Sequence, residues 1–183
     1  KSRGKFIAIW NVDDFRTNDS LISQEIELKK NFNVNYVYGN FSVIKKYGKI
    51  NSGKIVDIKN RKKSELKESM IIGPFFMFRK NICKKIGYFD EQLKSGLDFD
   101  FAIRLANHFQ GKHIKKVLGY YLNEGKGLST SKNDLQPVEC NVIYFRYGLF
   151  HKLVKKHFKK IVNYKIFDYY FFNKNYKIER FFK

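Results

Sequence analysis

The sequence predicts an α/β protein in which a mixed sheet is flanked by helices, and three segments carry this prediction. Residues 5–10 form an apolar run without alternation, which is typical of a strand buried on both faces in a mostly parallel sheet. Residues 33–38 alternate with the period of two that a strand requires. The third segment is an amphipathic helix whose apolar residues recur every four positions: Leu97, Phe101, Leu105 and Phe109.

Shorter patterns predict the other strands. Gly39 ends the strand of residues 33–38, and glycine-containing turns bound two further strands, residues 41–47 and 54–58. A later strand is expected over residues 113–122. Together these segments supply the sheet.

Two more helices have recognisable starts. Residues 18–20 (Asn-Asp-Ser) are typical of a helix cap, and the helix of about ten residues that follows carries four apolar residues: Leu21, Ile22, Ile26 and Leu28. Pro137 suits the first position of another helix. The apolar residues expected on one face of that helix are Val138, Val142, Phe145, Leu149 and Leu153.

The chain is expected to divide into an α/β domain, residues 1–132, and a helical, basic and aromatic extension, residues 133–183. Residues 141–183 hold 11 basic, 2 acidic and 14 aromatic residues. Three roles remain open for such a segment. It suits an anionic membrane interface, it suits stacking on single-stranded nucleic acid, and it suits packing against the domain.

The formal net charge of +20 indicates an anionic partner. A phosphate-bearing substrate, an anionic membrane surface and nucleic acid all satisfy that charge. The sequence contains no zinc-finger, RNP-type or helix-turn-helix pattern, so no specific nucleic acid is expected.

The number of cysteines and the hydropathy of the chain indicate the cellular compartment of the protein. Cys83 and Cys140 are too few for a disulfide framework and lack metal-knuckle spacing, which favours a reducing compartment. No secretory leader and no apolar run of about 20 residues is present. We therefore expect a cytoplasmic protein without a transmembrane helix, with peripheral attachment to a membrane as an open alternative.

Two acidic clusters are candidate functional sites. Asp13 and Asp14 follow the first predicted strand, where ligands collect in open α/β sheets, and oxygen ligands there suit Mg²⁺ or Mn²⁺. Asp98 and Asp100 lie in the first turn of a predicted helix, where the free backbone N–H groups favour a carboxylate. A plain helix-capping turn remains the alternative at both places.

Three segments in order resemble the family 2 glycosyltransferases of the GT-A fold. Residues 4–14 (GKFIAIWNVDD) resemble the strand that leads to the family's DxD metal motif. Residues 86–91 (IGYFDE), followed by residues 97–106 (LDFDFAIRLA), resemble the segment that carries its catalytic base. Residues 118–130 resemble the strand and loop after it.

This resemblance implies a Rossmann-related, GT-A-like fold and sugar transfer from a nucleotide-sugar donor to an acceptor hydroxyl with inversion. Asp98 would be the general base. Asp13 and Asn11 would bind Mn²⁺ or Mg²⁺, and Asp14 would join them in binding a UDP- or GDP-sugar. The resemblance places four residues on the side of a glycan, lipid or protein acceptor: Gly73, Pro74, Leu97 and Asp100.

The sequence departs from the family pattern in three respects. Asn11 replaces the first aspartate of DxD, and Leu97 stands where the family usually has glutamate. The chain begins almost at the metal strand, so we expect a domain truncated at its N-terminus that lacks the family's nucleotide-binding strands. A fragment of a longer protein, strands supplied by a partner chain and a truncated relative all remain open. An inactive truncated relative and a basic protein that binds nucleic acid or membranes are the alternative functions.

Overall fold

The computed structural model describes residues 2–59, 62–125, 127 and 135–172. Residues 128–130 of the third resembling segment, the predicted domain boundary at 132/133 and the tail 173–183 lie outside these ranges. The described strands are β1 (Phe6–Ala8), β2 (Phe15–Arg16), β3 (Tyr36–Ile44), β4 (Lys54–Val56), β5 (Met77–Arg79) and β6 (Gly111–Leu122). The described α-helices are α1 (Ser20–Lys30), α2 (Lys63–Leu66), α3 (Cys83–Ile86), α4 (Leu97–His108), α5 (Leu135–Arg146), α6 (Lys155–Ile161) and α7 (Tyr164–Phe171).

The strands form one mixed sheet in the order β1-β5-β3-β6-β2, with β4 paired to β3. Only the pairing of β3 with β6 is parallel among the described strands. β5 pairs with the start of β3 and β4 with its second half, so both lie along the same side of that strand. The predicted α/β architecture with a mixed sheet flanked by helices is confirmed.

The first strand differs from its prediction. β1 is only three residues long, is half-buried, and pairs antiparallel with β5 at one end of the described sheet. The interpretation of residues 5–10 as a strand buried on both faces in a mostly parallel sheet is therefore wrong. The apolar run is partly exposed because only one described strand pairs with β1.

Alternation along β3 sends side chains to two cores. Tyr36 and Tyr38 face a cluster that includes Phe101 and Leu105 of α4. Val37 points to the other face and packs with Leu28 of α1. The sheet is therefore covered by α4 on one face and by α1 on the other, as the period of two requires.

α4 is buried on two sides. Phe99 and Ile103 pack with Val142 and Ile143 of α5 in a second cluster, to which α6 and α7 contribute Ile161 and Tyr170. Residues 99–106 are all buried, whereas the sequence predicted a single apolar face. The reason is that α5–α7 cover the side of α4 that faces away from the sheet.

A buried ion pair fixes α5 to the segment before α4. Arg146 and Asp90 lie 2.6 Å apart with both side chains 1% exposed. Arg146 also donates to the backbone oxygen of Tyr170 at 2.7 Å, so α7 is held in the same network. Removal of either partner would destabilise the protein, because the charge of the other would stay buried without a counter-ion.

Two predicted helices keep their location but differ in detail. In α1 only Leu28 of the four apolar residues is buried, together with Ser20 and Gln24. The Gln24 amide donates to the backbone oxygen of Phe75 at 2.7 Å, which draws a polar face of the helix inward.

α5 begins at Leu135, before the proline, and ends at Arg146. Leu149 and Leu153 therefore lie outside the helix that was predicted to include them.

The predicted end of the strand at Gly39 is wrong, because β3 continues through it to Ile44. A Cβ atom at Gly39 would lie 2.8 Å from Leu118 Cδ1 and 2.9 Å from the Ile114 backbone oxygen. The glycine thus permits β3 and β6 to approach closely where their register shifts.

We expect Gly39→Ala to destabilise the protein by about 1–3 kcal/mol, because the added methyl group overlaps β6. Chemical denaturation would measure the loss. Gly48→Ala is a useful comparison because a Cβ there meets nothing within 4 Å, although its φ of 75° adds backbone strain. An unchanged free energy of unfolding in Gly39→Ala would contradict the close approach.

Candidate functional site

The ends of β3 and β6, the turn after β1 and the start of α4 lie toward the same edge of the sheet. β1 and β3 are each antiparallel to β5, and β3 is parallel to β6, so β1, β3 and β6 run in one direction. The Leu122 N–H at the end of β6 donates to Asp14 Oδ1 at 3.0 Å, which brings the turn after β1 to that edge. α4 leads into β6 through two residues and so runs back toward the same edge, with Asp98 at its start.

Asp13 is the exposed residue of the turn after β1. Its carboxylate has no hydrogen-bond or ion-pair partner among the residues that the structure describes. Asn11 is also exposed, and its Nδ2 donates to Asp14 Oδ2 at 2.9 Å. That bond fixes the amide and leaves Oδ1 as its remaining acceptor. Two oxygen donors of this kind fit a hard divalent cation that takes its other ligands from water and substrate.

Asp14 is placed differently from Asp13. It is 5% exposed and accepts hydrogen bonds from the Asn11 side chain and the Leu122 backbone. Burial raises its pKa, and those two hydrogen bonds oppose the rise. The carboxylate therefore joins the turn to β6, and Asp14 supports the position of Asn11.

Gly73 and Pro74 enter β5 opposite the end of β1. The Ile9 N–H donates to the Phe76 backbone oxygen at 3.2 Å, so the two segments remain paired beyond the strands. Gly73 has a φ of 70°, and a Cβ there would lie 3.0 Å from Ile58 Cδ1. The turn thus requires glycine for both backbone and space, and it leads through Pro74 into β5.

Asp98 has the features of a proton acceptor. It is half-buried in the first turn of α4, and its Oδ1 accepts from the Phe99 N–H at 2.8 Å. Burial raises its pKa, opposed by backbone hydrogen bonds. A carboxylate with a raised pKa is a stronger base than an ordinary one and still meets solvent here.

The neighbours of Asp98 in α4 face inward. Leu97 packs against the apolar cluster shared by α4 and α5. Asp100 is 2% exposed and ion-paired with Arg104 at 2.6 Å, and Tyr147 donates to its other oxygen at 2.8 Å. The two residues of α4 that were expected on the acceptor side, Leu97 and Asp100, therefore hold α4 in place, and Asp98 is the carboxylate of this turn that reaches the surface.

Glu139 of α5 holds the turn that precedes Asp98. Its carboxylate is fully buried and accepts from the backbone N–H groups of residues 94, 95 and 96 at 2.7–3.1 Å. Tyr170 donates a further hydrogen bond to it at 3.2 Å. Burial, followed by the charges of Asp98 and Glu139, raises the pKa of Cys140 to about 11. α5 therefore lies next to the candidate base, Asp98.

Glu139 and Arg16 are site residues that sequence reasoning missed. Arg16 donates to the Ile9 backbone oxygen at 2.5 Å and to Gln24 Oε1 at 2.8 Å, next to the Asp14 turn. Burial lowers its pKa to about 10. The one available signal for Glu139 was a lone carboxylate in an otherwise apolar helix segment, since Val138 and Cys140 flank it.

Within the described residues, no group of three or more His, Cys, Asp or Glu side chains is arranged to hold a metal ion. A cation at this edge would therefore depend on Asp13, Asn11 and oxygen atoms from a bound substrate. That is the usual situation of Mg²⁺, which binds through one or two carboxylates plus phosphates.

Comparison with known proteins identifies a distant relative. No family model matches the chain. The chain is 29% identical over 178 residues to an uncharacterized glycosyltransferase of Methanocaldococcus jannaschii. The aligned part covers 92% of this chain and 58% of the relative, so the chain spans somewhat more than half the length of the protein it matches.

Proposed function

We propose that the chain is the part of a glycosyltransferase that carries the cation-binding turn and the general base. The distant relative supports glycosyl transfer in general. The observation that carries the mechanistic proposal is Asp98, a half-buried carboxylate with a raised pKa at the sheet edge where Asp13 is exposed. The resemblance to family 2 of the GT-A fold supplies the finer assignment.

In this proposal the substrates are a nucleotide-sugar donor, with UDP or GDP as the nucleotide, and an acceptor hydroxyl of a glycan, lipid or protein. Asp13 and Asn11 would hold Mn²⁺ or Mg²⁺. When bound, that cation neutralises the negative charge that develops on the leaving diphosphate. Asp14 keeps the turn in place.

Asp98 removes the proton from the acceptor hydroxyl as that oxygen attacks the anomeric carbon. One direct displacement inverts the configuration at that carbon. Gly73 and Pro74 shape the acceptor side, and Leu97 and Asp100 hold the first turn of α4 so that the Asp98 carboxylate faces the acceptor. Positioning of this kind lowers the entropic part of the barrier.

We expect UDP or GDP to bind the chain with a strong dependence on Mn²⁺, and we expect Asp13→Ala to remove that dependence. Loss of the carboxylate removes the one charged ligand of the turn. Isothermal titration calorimetry of each nucleotide, with and without Mn²⁺, would measure the change.

Asp57→Ala is the matched control, because Asp57 is an exposed aspartate that follows β4. It should leave nucleotide binding unchanged. Cation-dependent binding that survives in Asp13→Ala would contradict the metal assignment, and so would binding that is equally strong with and without Mn²⁺ in the unaltered chain.

A further inference from the structure

The outer surface of α6 and α7 combines lysines with apolar side chains. In and after α6, the exposed residues are Lys155, Lys156, Lys159, Lys160 and Val162. In and after α7, they are Lys165, Ile166, Asp168, Tyr169 and Phe172. We call these residues the α6–α7 surface. It carries five lysines and one acidic residue.

A groove of about 480 Å³ opens on this surface. Val138 of α5 lines it together with Ile166 and Tyr169 of α7. Lys160 and Lys165 also line it, so an apolar groove has ammonium groups beside it. This arrangement fits a ligand that is apolar in one part and anionic in another.

The core does not require the outer apolar side chains. α7 is held from its inner side, where the rings of Phe167 and Phe171 lie 6.1 and 5.1 Å from the ring of Phe145. By contrast, Val162 is 58% exposed and Phe172 is 65% exposed. Large apolar side chains at such exposure, rimmed by charge, are typical of an interaction site.

Four lysines of the surface are available to an anionic partner. Lys155, Lys156, Lys159 and Lys165 form no ion pair with another residue that the structure describes. Asp168 is the one acidic side chain in the described part of this surface. Within the described part of the chain, the positive charge of these four lysines is therefore not compensated by ion pairs.

We propose that the α6–α7 surface docks on an anionic lipid bilayer. Lysines would meet the lipid phosphates, while the apolar side chains and the Tyr169 ring would enter the interface. Contact with a second copy through this surface would bring two sets of lysines together, which like-charge repulsion disfavours. Among the helices that the structure describes, none has the length and hydropathy of a membrane span.

The same helix connects this surface to the candidate base. Val138 lines the groove, the next residue, Glu139, holds the turn before Asp98, and the charge of Asp98 acts on Cys140. Docking would therefore present the candidate acceptor side at a fixed orientation to the lipid. The docking itself does not rest on the proposed glycosyl transfer, and its test needs no turnover.

The experiment is flotation of the full chain with two kinds of vesicle. One kind contains phosphatidylcholine alone, and the other contains phosphatidylcholine and phosphatidylglycerol in equal parts. We expect binding to the anionic vesicles, weakened by added salt because the lysine–phosphate attraction is screened. Equal binding to both kinds of vesicle, or to neither, would overturn the proposal.

Two sets of variants locate the contact. Lys155→Gln, Lys156→Gln and Lys159→Gln combined should weaken binding by on the order of 100-fold, since each lysine near the membrane contributes about 1 kcal/mol. Its control combines Lys45→Gln, Lys46→Gln and Lys49→Gln, three exposed lysines between β3 and β4, and should change binding little.

The apolar set combines Val162→Ser, Ile166→Ser and Phe172→Ser and should weaken binding by at least about 10-fold. Its control changes three exposed apolar residues of α1 to serine: Leu21, Ile22 and Ile26. Circular dichroism establishes that each variant is folded. If the controls lose as much binding as the test variants, the α6–α7 surface is not the contact. If the apolar set makes a dimer dissociate into monomers without changing flotation, the α6–α7 surface binds a second copy of the chain and the proposal fails.

Discussion

Asp98→Asn is expected to lower turnover by at least about 100-fold while leaving donor binding unchanged. General-base catalysis typically contributes a factor of 10²–10⁴. An asparagine cannot take the acceptor proton, yet its carbonyl oxygen can still accept from the Phe99 N–H that Asp98 now engages. The measurement is steady-state transfer, paired with calorimetric titration of the nucleotide.

The same substitution should not lower stability. Folding raises the pKa of Asp98 because the charged form loses solvation, so the ionised carboxylate opposes folding. The cost develops as pH rises from the ordinary carboxylate pKa to the raised one, and it is complete above the raised pKa. A neutral asparagine avoids it, so the melting temperature at neutral pH should be equal or higher.

The pH profile separates the general base from a merely structural aspartate. The rate of the unaltered protein should fall as pH falls through the raised pKa of Asp98, above the range of an ordinary carboxylate. Glu91→Gln is the control, because Glu91 is exposed in the loop before α4 and should keep full activity. Normal turnover in Asp98→Asn would exclude it as the base.

Local sequence patterns predicted the elements better than the faces that those elements bury. In α4 the four-residue repeat identified the side that meets the sheet, and Phe101 and Leu105 do pack there. Phe99 and Ile103 form a second stripe that meets α5. A helix placed between two layers needs both stripes, and periodicity alone does not reveal that a second layer exists.

Long-range hydrogen bonds explain the differences in α1. Gln24 is fully buried because its amide donates to Phe75 and accepts from Arg16, whereas Ile22 remains 54% exposed. Apolar counts along the chain cannot anticipate a buried polar residue whose partner is 51 positions away. The continuation of β3 through Gly39 was missed for a related reason, since the close neighbour of Gly39 is Leu118.

At the candidate site too, the sequence predicted the elements but not the contacts between residues distant in the chain. The sequence placed Asp13 after a strand and Asp98 at a helix start, and the topology turns both elements toward one edge. It did not distinguish exposed Asp13 from buried Asp14, because that difference depends on the Leu122 N–H. It also assigned Asp100 to the acceptor side, where its ion pair with Arg104 now indicates a supporting role.

The largest expected loss of stability comes from Glu139→Ala. The backbone N–H groups of residues 94, 95 and 96 all donate to this one carboxylate, at 2.7–3.1 Å. Without it, three donors lose their acceptor at a partly buried place, and each unsatisfied group costs about 1–3 kcal/mol. Allowing for water that enters the space, we expect a loss of about 3–5 kcal/mol, measured by chemical denaturation.

Two milder variants show whether the loss of stability in Glu139→Ala comes from the missing carboxylate or from the lost packing. Glu139→Gln keeps the shape and one acceptor oxygen but turns an amide toward backbone donors, so its loss should be intermediate. Tyr170→Phe removes only the hydroxyl that donates to Glu139, at 3.2 Å, and should cost about 1 kcal/mol. Equal losses in all three variants would contradict a special role for the carboxylate.

Hydrogen exchange and kinetics test the connection to Asp98. Glu139→Gln should increase amide exchange at Ser95 and Gly96, because their hydrogen bonds to the carboxylate are weakened. Turnover should fall more than nucleotide affinity, since displacement of the turn moves the base without touching Asp13. If exchange at those amides rises while turnover stays normal, the turn is structural and Asp98 does not depend on it for its position.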